Sequence, residues 1–347
     1  MSLVLHVEGD RWRAHLRSVA EARPGLVPVA KGNGYGFGNG RLARKAQWLG
    51  CDTLAVGTYP EIGDVVRRFD GDVAVLTPWR PWHREEAASD RVIHTVGRLA
   101  DLAELRELPG RPRVLLERLT SMKRHGFTAR GLREAVATAG DGVRLEGVTL
   151  HLPLETDASD YEADQLMTDV VAAGLGRVAP HVWVSHLSTA ALADLATRYP
   201  DFTFRPRVGT GLWLGDRGAL RVSAQVLDAH PVERGEHFGY RGRTLPRTGT
   251  LLVVSGGTAH GIGLEAPAGE GGIRARAATL ARGGLDALGL VRSPYTVAGK
   301  PRYFAEPPHM QSSMLFLPSD ADVPAIGDTV EVRVRFTATS FDRVEIT

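Results

Sequence analysis

From residue 26 to about 210 the chain repeats one pattern: a short apolar run rich in β-branched residues, a turn, then a helix-like stretch. The strand-like runs are Leu26–Ala30, Thr53–Gly57, Val73–Leu76, Val92–Val96, Val114–Glu117, Val148–Leu152, His181–Ser185 and Thr203–Arg207. Between them lie helix-like segments at 41–50, 60–69, 100–108, 129–140, 161–174 and 189–199. Strands that alternate with helices pair in parallel, because each crossover helix returns the chain to the same end of the sheet. Eight strands in one such run predict closure into a (β/α)8 TIM barrel rather than an open doubly wound sheet.

After residue 220 the pattern changes. LRVSAQVLDAHPV, TLLVVSGG, SPYTVAGKPRYFA, SSMLFLPS and DTVEVRVRFTATSF are β-rich runs joined by Gly/Pro turns, with almost no helical period. The expected organisation is a barrel over 1–220 and an all-β domain over 221–347, with an N-terminal strand at about 3–8 pairing with the latter. The Gly/Glu-rich link GLEAPAGEGGIRARA (263–277) is expected to be a surface loop.

Composition narrows the function. A hydrophobic fraction of 43% against 24% charged residues excludes a disordered chain. Lys plus Arg total 42 and Asp plus Glu 40, a net charge of +2, so no domain-wide basic field exists to hold a nucleic acid. The single cysteine, Cys51, makes no internal disulfide; it points to a reducing compartment and to a small core residue. The N-terminus has no signal-peptide core, and no apolar run is long enough to cross a membrane. A cytoplasmic protein with no membrane partner is expected.

A barrel places its chemistry at the C-terminal ends of its strands. The first strand ends in VAKGNGYGFGNG, with Lys31 as its last residue and glycines at 32, 34, 36, 38 and 40. Desolvation at a barrel mouth disfavours the ammonium form and frees the amine as a nucleophile. The alternative is a solvated surface charge. The glycine spacing fits neither a dinucleotide-binding G-x-G-x-x-G nor a P-loop.

VAKGNGYGFGNGRLARKAQWLGCDTLAVGTYPEI resembles the cofactor-lysine segment of the alanine racemase family, pyridoxal-phosphate enzymes of fold type III, where the motif reads approximately V-K-A-N-A-Y-G-H-G. The resemblance continues over about residues 5–335. RLTSMKRHGF is similar to D-T-G-M-x-R-x-G-F/V, LEGVTLHL to G-L-x-T-H-F, VSHLSTAA to H-x-x-N-S-A, and RVGTGLWLG to R-P-G-I-x-L-Y-G with one residue extra. In the β domain, VERGEHFGYRGRT resembles G-E-x-V-x-Y-G-x-T, and VAGKPRYFAEPPHMQSSMLF stands where G-x-x-M-D-Q is expected.

The resemblance implies pyridoxal 5'-phosphate as cofactor, with Lys31 as its covalent attachment point and one acid/base group. It implies Tyr35, Thr189, Gly209 and Thr210 at the cofactor phosphate. Hydroxyls and backbone N–H groups suit a dianion in any case. Tyr35 is otherwise a rim aromatic, and Thr189 otherwise the N-cap of the following helix. Arg207 would face the pyridine nitrogen, or else pair with a surface carboxylate; Arg205 lies on the same strand face. His186 and His151 would orient that arginine, and Arg124 would meet the phenolic oxygen. Glu117 stands where many members carry a carbamylated lysine, and would serve as a charge strut. A homodimer and a small, alanine-like amino-acid substrate are implied as well, with Met310 at the substrate.

The pattern breaks on the substrate side. VVSGGTAHGIG puts Thr258 where the family's second catalytic tyrosine stands and His260 where an aspartate is expected. An aliphatic hydroxyl titrates far above any working pH, whereas imidazole is a competent base. His260 is therefore the expected second base, with Tyr240 and His309 nearby placed behind it. Gln311 follows Met310 where an aspartate is expected, and the family's C-terminal tyrosine is lost or reduced to Phe341. The expected function is a racemase acting at the α-carbon. The alternatives are a non-racemising pyridoxal-phosphate enzyme, such as a decarboxylase, or an inactive protein that binds the cofactor or a partner.

Overall fold

The computed structural model describes residues 2–86, 89–154, 157–245, 247–264 and 291–347. It divides into two compact units, Arg13–Gly215 and Met1–Trp12 with Asp216–Thr347. All but the first two residues of the 263–277 link lie outside the described residues.

The strands, in chain order, begin with β1 (Leu3–Val7), which belongs to the second unit. Then come β2 (Val27–Ala30), β3 (Thr53–Val56), β4 (Asp72–Val75), β5 (Val92–Val96), β6 (Arg113–Arg118), β7 (Arg144–His151), β8 (His181–Ser185) and β9 (Thr203–Val208). These eight form a closed parallel barrel, and β2 pairs with β9 at Val27↔Arg207 to close it. The expected (β/α)8 barrel is thus present. The helices start and stop within a few residues of expectation except at 60–69. There Pro60 opens a single 3-10 turn, Tyr59–Glu61, followed only by the short helix Ile62–Val65. Thr189 is not an N-cap: Ser188 caps the helix Thr189–Arg198 by accepting the Ala191 N–H at 3.0 Å.

Side chains alternate across a strand, so one face of each β strand fills the barrel and the other meets the helices. The inward cluster comprises Val27, Val29, Ala55, Ala74, Ile93, Leu115 and Trp183. Burial of such a side chain is worth about 1.5–3 kcal/mol, so polar residues on this face are confined to the barrel ends. Arg205 and Arg207 show the division. Arg205 pairs with Asp52, which precedes β3 at the N-terminal end, and its guanidinium lies over Trp183 at 4.6 Å. Arg207, two residues on, is buried at the mouth and donates to Leu150 O at 3.2 Å.

In the second unit, β10 (Leu220–Val232), β11 (His237–Phe238), β12 (Arg243–Thr244), β13 (Gly249–Ser255), β14 (Arg292–Val297), β15 (Lys300–Phe304), β16 (Ser312–Pro318), β17 (Thr329–Val332) and β18 (Arg343–Ile346) follow. β11 and β12 form a small hairpin. The others make one sheet in the order β13-β16-β15-β14-β17-β10-β1-β18, and β10 also pairs with β13. The long β10 shifts register between Val226 and Asp228, which lets it change partners from β1 and β17 to β13. DTVEVRVRFTATSF is a strand only over Thr329–Val332, and the last residues form β18, parallel to β1. Phe341, offered above as a remnant of a binding tyrosine, lies against Phe336, with ring centroids 6.0 Å apart. No described helix is long and apolar enough to cross a membrane, and no metal-binding cluster exists among the described residues.

Candidate active site at the barrel mouth

Continuing the inward face of each strand by two residues beyond the apolar cluster gives Lys31 after Val29, Glu117 after Leu115, Ser185 after Trp183 and Arg207 after Arg205. Strand parity therefore delivers a ring of polar groups to one place, the C-terminal mouth. Lys31 is open to solvent, yet the protein atoms around it and the charges of Arg124 and Arg207 lower its pKa below the ordinary lysine value, against a weaker opposing pull from Glu61.

The loop that carries Lys31 is held from both sides. Glu61 Oε1 accepts the Gly32 N–H at 2.9 Å, and its Oε2 accepts the N–H of Gly57 at 2.7 Å and of Thr58 at 3.2 Å. Asn39, buried, donates to Gly32 O at 3.1 Å. Gly34 has φ +61, and a Cβ there would come 3.2 Å from Asn39 Oδ1 and closer still to its backbone N. Glu61 was not among the residues singled out from sequence, although the T-x-x-E spacing of Thr58 and Glu61 is that of a capping box.

Tyr35 is buried with φ 54, and burial pushes its hydroxyl up to about 12. A Cβ on Gly209 would collide with its Oη. Gly209 opens the short helix Thr210–Trp213, whose first N–H groups have no partner within a helix. Backbone strain marks the same mouth. Of five described non-glycine residues with positive φ, Tyr35, Lys123 and His186 sit in the loops after β2, β6 and β8.

His186 Nδ1 lies 2.8 Å from Leu152 O, and its ring meets His151 edge-on at 5.2 Å. His151 Nδ1 lies 3.0 Å from Ser185 Oγ; burial and then the charges of Arg207 and Arg124 depress its pKa to about 3. Burial brings Arg207 down to about 10, with Glu117 opposing, so it remains charged at neutrality. Its Nε is buried without a hydrogen-bond partner, as is Glu117 Oε2. Glu117 makes no hydrogen bond to either Arg207 or Arg124 among the described residues; burial raises its pKa, and the charges of Arg207, Arg124 and Arg80 oppose that rise. Arg124 is exposed, in the loop after β6; that loop is pinned by Ser121 donating to Glu162 at 2.6 Å.

Residues 7–216 match the family model for the alanine racemase N-terminal domain. The chain belongs to the alanine racemase family. The alanine racemase of Salinispora tropica is 31% identical over 288 residues, covering 75% of this chain and 76% of the relative. That of Nitratidesulfovibrio vulgaris is 26% identical over 278 residues, covering 71% and 72%. Among solved structures, the Bartonella henselae alanine racemase with covalently bound pyridoxal phosphate superposes with a TM-score of 0.74 over all of both chains at 17% identity. The alanine racemase from E. faecalis gives 0.71 at 19% identity, covering 99% of this chain and 97% of that one. At such identity these two structures bear on the fold alone.

The residues predicted for the β domain belong to the second unit. Thr258 and His260 form a 3-10 turn after β13, and His309 and Met310 precede β16. Thr258 is exposed, and its N–H donates to His309 O at 2.8 Å. His260 Nδ1 accepts the Gly257 N–H at 3.3 Å, and Nε2 meets Asp342 at 3.2 Å. Met310 and Tyr240 are among the most exposed large side chains of the unit.

Proposed function

We propose that the chain is a pyridoxal-phosphate-dependent racemase acting at the α-carbon of a small, alanine-like amino acid, assembled as a homodimer in the cytoplasm. The observation that carries the proposal is Lys31: a lysine of lowered pKa at a barrel mouth, on a loop clamped by Glu61, among charged groups with unspent donors. Family membership supports the same reading.

The residues present fit the cofactor. Arg207 holds a buried Nε with no partner, and Tyr35 Oη beside the bare Gly209 leaves hydroxyl and backbone donors for a phosphate. When bound, the cofactor is an electron sink that acidifies the substrate's α-C–H. Lys31 Nζ holds the cofactor and moves a proton at the α-carbon; its lowered pKa makes the free amine more available than that of an ordinary lysine. Tyr35, Thr189, Gly209 and Thr210 bind the phosphate. Arg207 stays charged at neutrality, so it donates a hydrogen bond without surrendering a proton to a ring nitrogen. His186 and His151 orient that side of the site, Arg124 binds the phenolic oxygen, and Met310 contacts substrate.

The test is spectroscopic, then isotopic. Purified protein given pyridoxal phosphate is expected to hold visible absorbance that borohydride bleaches and fixes on Lys31. It is also expected to exchange the α-proton of L- and D-alanine for solvent deuterium with inversion. A colourless protein overturns the assignment. Exchange or decarboxylation without inversion would favour the non-racemising alternative, for which Thr258 at the tyrosine position is the one supporting observation.

A further inference from the structure

Glu61 holds the Lys31 loop only as firmly as its own turn is held. That turn is three residues long, Tyr59–Glu61, and Pro60 fixes one of its backbone dihedrals. The Glu61 carboxylate reaches back over the turn to the N–H groups of Gly57 and Thr58 and across to Gly32. Tyr59, two residues earlier, instead buries its ring and is 3% exposed. Its hydroxyl lies 2.9 Å from Nδ1 of His94, which is fully buried on β5. Ile93 fills the barrel interior, so His94 faces outward, to the turns that surround the strands.

Nε2 of His94 is sealed from solvent without a hydrogen-bond partner, so the polar contact of this ring is Nδ1 with Tyr59 Oη. An apolar side chain would fill the same place without the penalty of an unbonded buried nitrogen. What imidazole adds is a partner for the tyrosine hydroxyl, which at that depth needs one. His83 adds a second hold. Its ring stacks on Tyr59 with centroids 4.0 Å apart and planes 20° from parallel, and the His94 ring lies nearly parallel to Tyr59 as well, at 5.8 Å. His83 is tied in turn to the fully buried Trp79, whose Nε1 donates to His83 O at 3.1 Å. A shift of the turn that carries Glu61 must therefore break the Tyr59–His94 bond or unstack His83. Every contact from His94 to Gly32 lies within the unit Arg13–Gly215.

We propose that Tyr59 and His94 are positioning residues for Lys31: the buried hydrogen bond between them holds the Tyr59–Glu61 turn, and through Glu61 it holds the loop that presents the amine. The kinetic effect rests on the racemase reading above, whereas the effect on the loop is independent of it. Loss of the bond leaves the Lys31 amine chemically intact and its placement less well defined, which lowers turnover more than it alters substrate binding.

The full chain is compared as wild type, Tyr59→Phe, His94→Leu, His94→Gln, Glu61→Ala, and Glu61→Ala combined with Tyr59→Phe or with His94→Leu. The first readout needs no cofactor: amide hydrogen exchange, by nuclear magnetic resonance, at Gly32 and Gly57, whose N–H groups Glu61 binds. Tyr59→Phe and His94→Leu are expected to speed both about 3–10-fold, the worth of one buried hydrogen bond. The Leu119 N–H, bonded to Phe127 O in the loop after β6, should exchange as in wild type. His94→Gln keeps an acceptor for the hydroxyl and should fall between His94→Leu and wild type. In protein loaded with pyridoxal phosphate, turnover of alanine is expected to fall about tenfold in Tyr59→Phe, with KM within about threefold of wild type. The double variants should be no slower than Glu61→Ala alone, because both residues act through Glu61. Unchanged exchange at Gly32 and Gly57 in Tyr59→Phe overturns the proposal, as does equal acceleration at Leu119, or a double variant whose loss is the product of the two single losses. If Tyr59→Phe does not fold, His94→Leu carries the same expectations and the same refutations. A wild type that takes up no pyridoxal phosphate overturns the racemase reading, a separate outcome, and the exchange rates at Gly32 and Gly57 then decide the positioning role.

Discussion

Glu61 joins two loops of the barrel mouth, accepting the Gly32 N–H at 2.9 Å through one oxygen and the Gly57 N–H at 2.7 Å through the other. Lys31 lies between those anchors, and a Cβ on Gly57 would stand only 3.0 Å from both Lys31 Cβ and Glu61 Oε2. Removing the carboxylate leaves backbone donors without their acceptor, a cost of about 1–3 kcal/mol. Small displacements of a reacting group cost about 10²-fold in rate. Glu61→Ala is therefore expected to stay folded with a lower melting temperature, and to lose about 10–100-fold in turnover. Glu61→Gln, which keeps one acceptor, should fall between. Kinetics and a thermal melt on the same samples check this; wild-type turnover in Glu61→Ala would refute the clamp.

Gly209 and Tyr35 are coupled by space rather than by a bond. Gly209 has a negative φ of −110°, and the obstacle to a side chain there is Tyr35 Oη, which a Cβ would overlap. Gly209→Ala is expected to displace the tyrosine and to weaken phosphate binding, read as about a tenfold or greater rise in the cofactor dissociation constant, the worth of one hydrogen bond. Tyr35→Phe removes the colliding oxygen. In the double variant the two losses should therefore not add, with a coupling of about 1 kcal/mol. Strict additivity would show that the two residues act independently.

The barrel was legible in the alternation of strands and helices and Lys31 in its place at the end of the first strand, whereas Glu117 and Arg207 were reached only through the family resemblance; strand parity explains why all three come to the mouth. Glu61 and Ser188 escaped, because they act on backbone N–H groups brought near by folding rather than through any periodicity of their own. The partner of His260 was beyond the sequence for a related reason: Asp342, which its Nε2 meets at 3.2 Å, comes from a segment 82 residues away.

Arg205 and Arg207 share a strand face but are about 6–7 Å apart along it, and they do different things. Arg207→Met should change the absorption spectrum and affinity of bound pyridoxal phosphate. Arg205→Met should leave both unchanged. It removes a pair whose carboxylate, Asp52, is largely exposed, so the lost ion pair is worth about 0–1 kcal/mol. Titration of each apoprotein with cofactor, followed by a melt, separates the two. A spectral shift in Arg205→Met would mean that the assignment of ends to the barrel is reversed.

Two histidines, His94 buried and His151 half-buried, set the acid limit of the barrel. His94 is fully buried on β5, its Nδ1 2.9 Å from Tyr59 Oη and its Nε2 without a partner, and burial depresses its pKa to about 4. His151 lies still lower, at about 3. In the unfolded chain both take up a proton near pH 6.5. The native state resists that proton, so the stability it represents is present above about pH 6.5 and is lost as pH falls toward the native values. For His94 the loss is on the order of 3 kcal/mol. His94→Gln keeps an acceptor for Tyr59 and does not titrate. Its melting temperature is expected to fall less steeply than that of wild type between pH 6.5 and 4, although it starts lower at neutral pH because the new side chain packs less well. Parallel slopes for the two proteins would show that His94 is already charged in the fold, and would move the origin of acid sensitivity to the mouth.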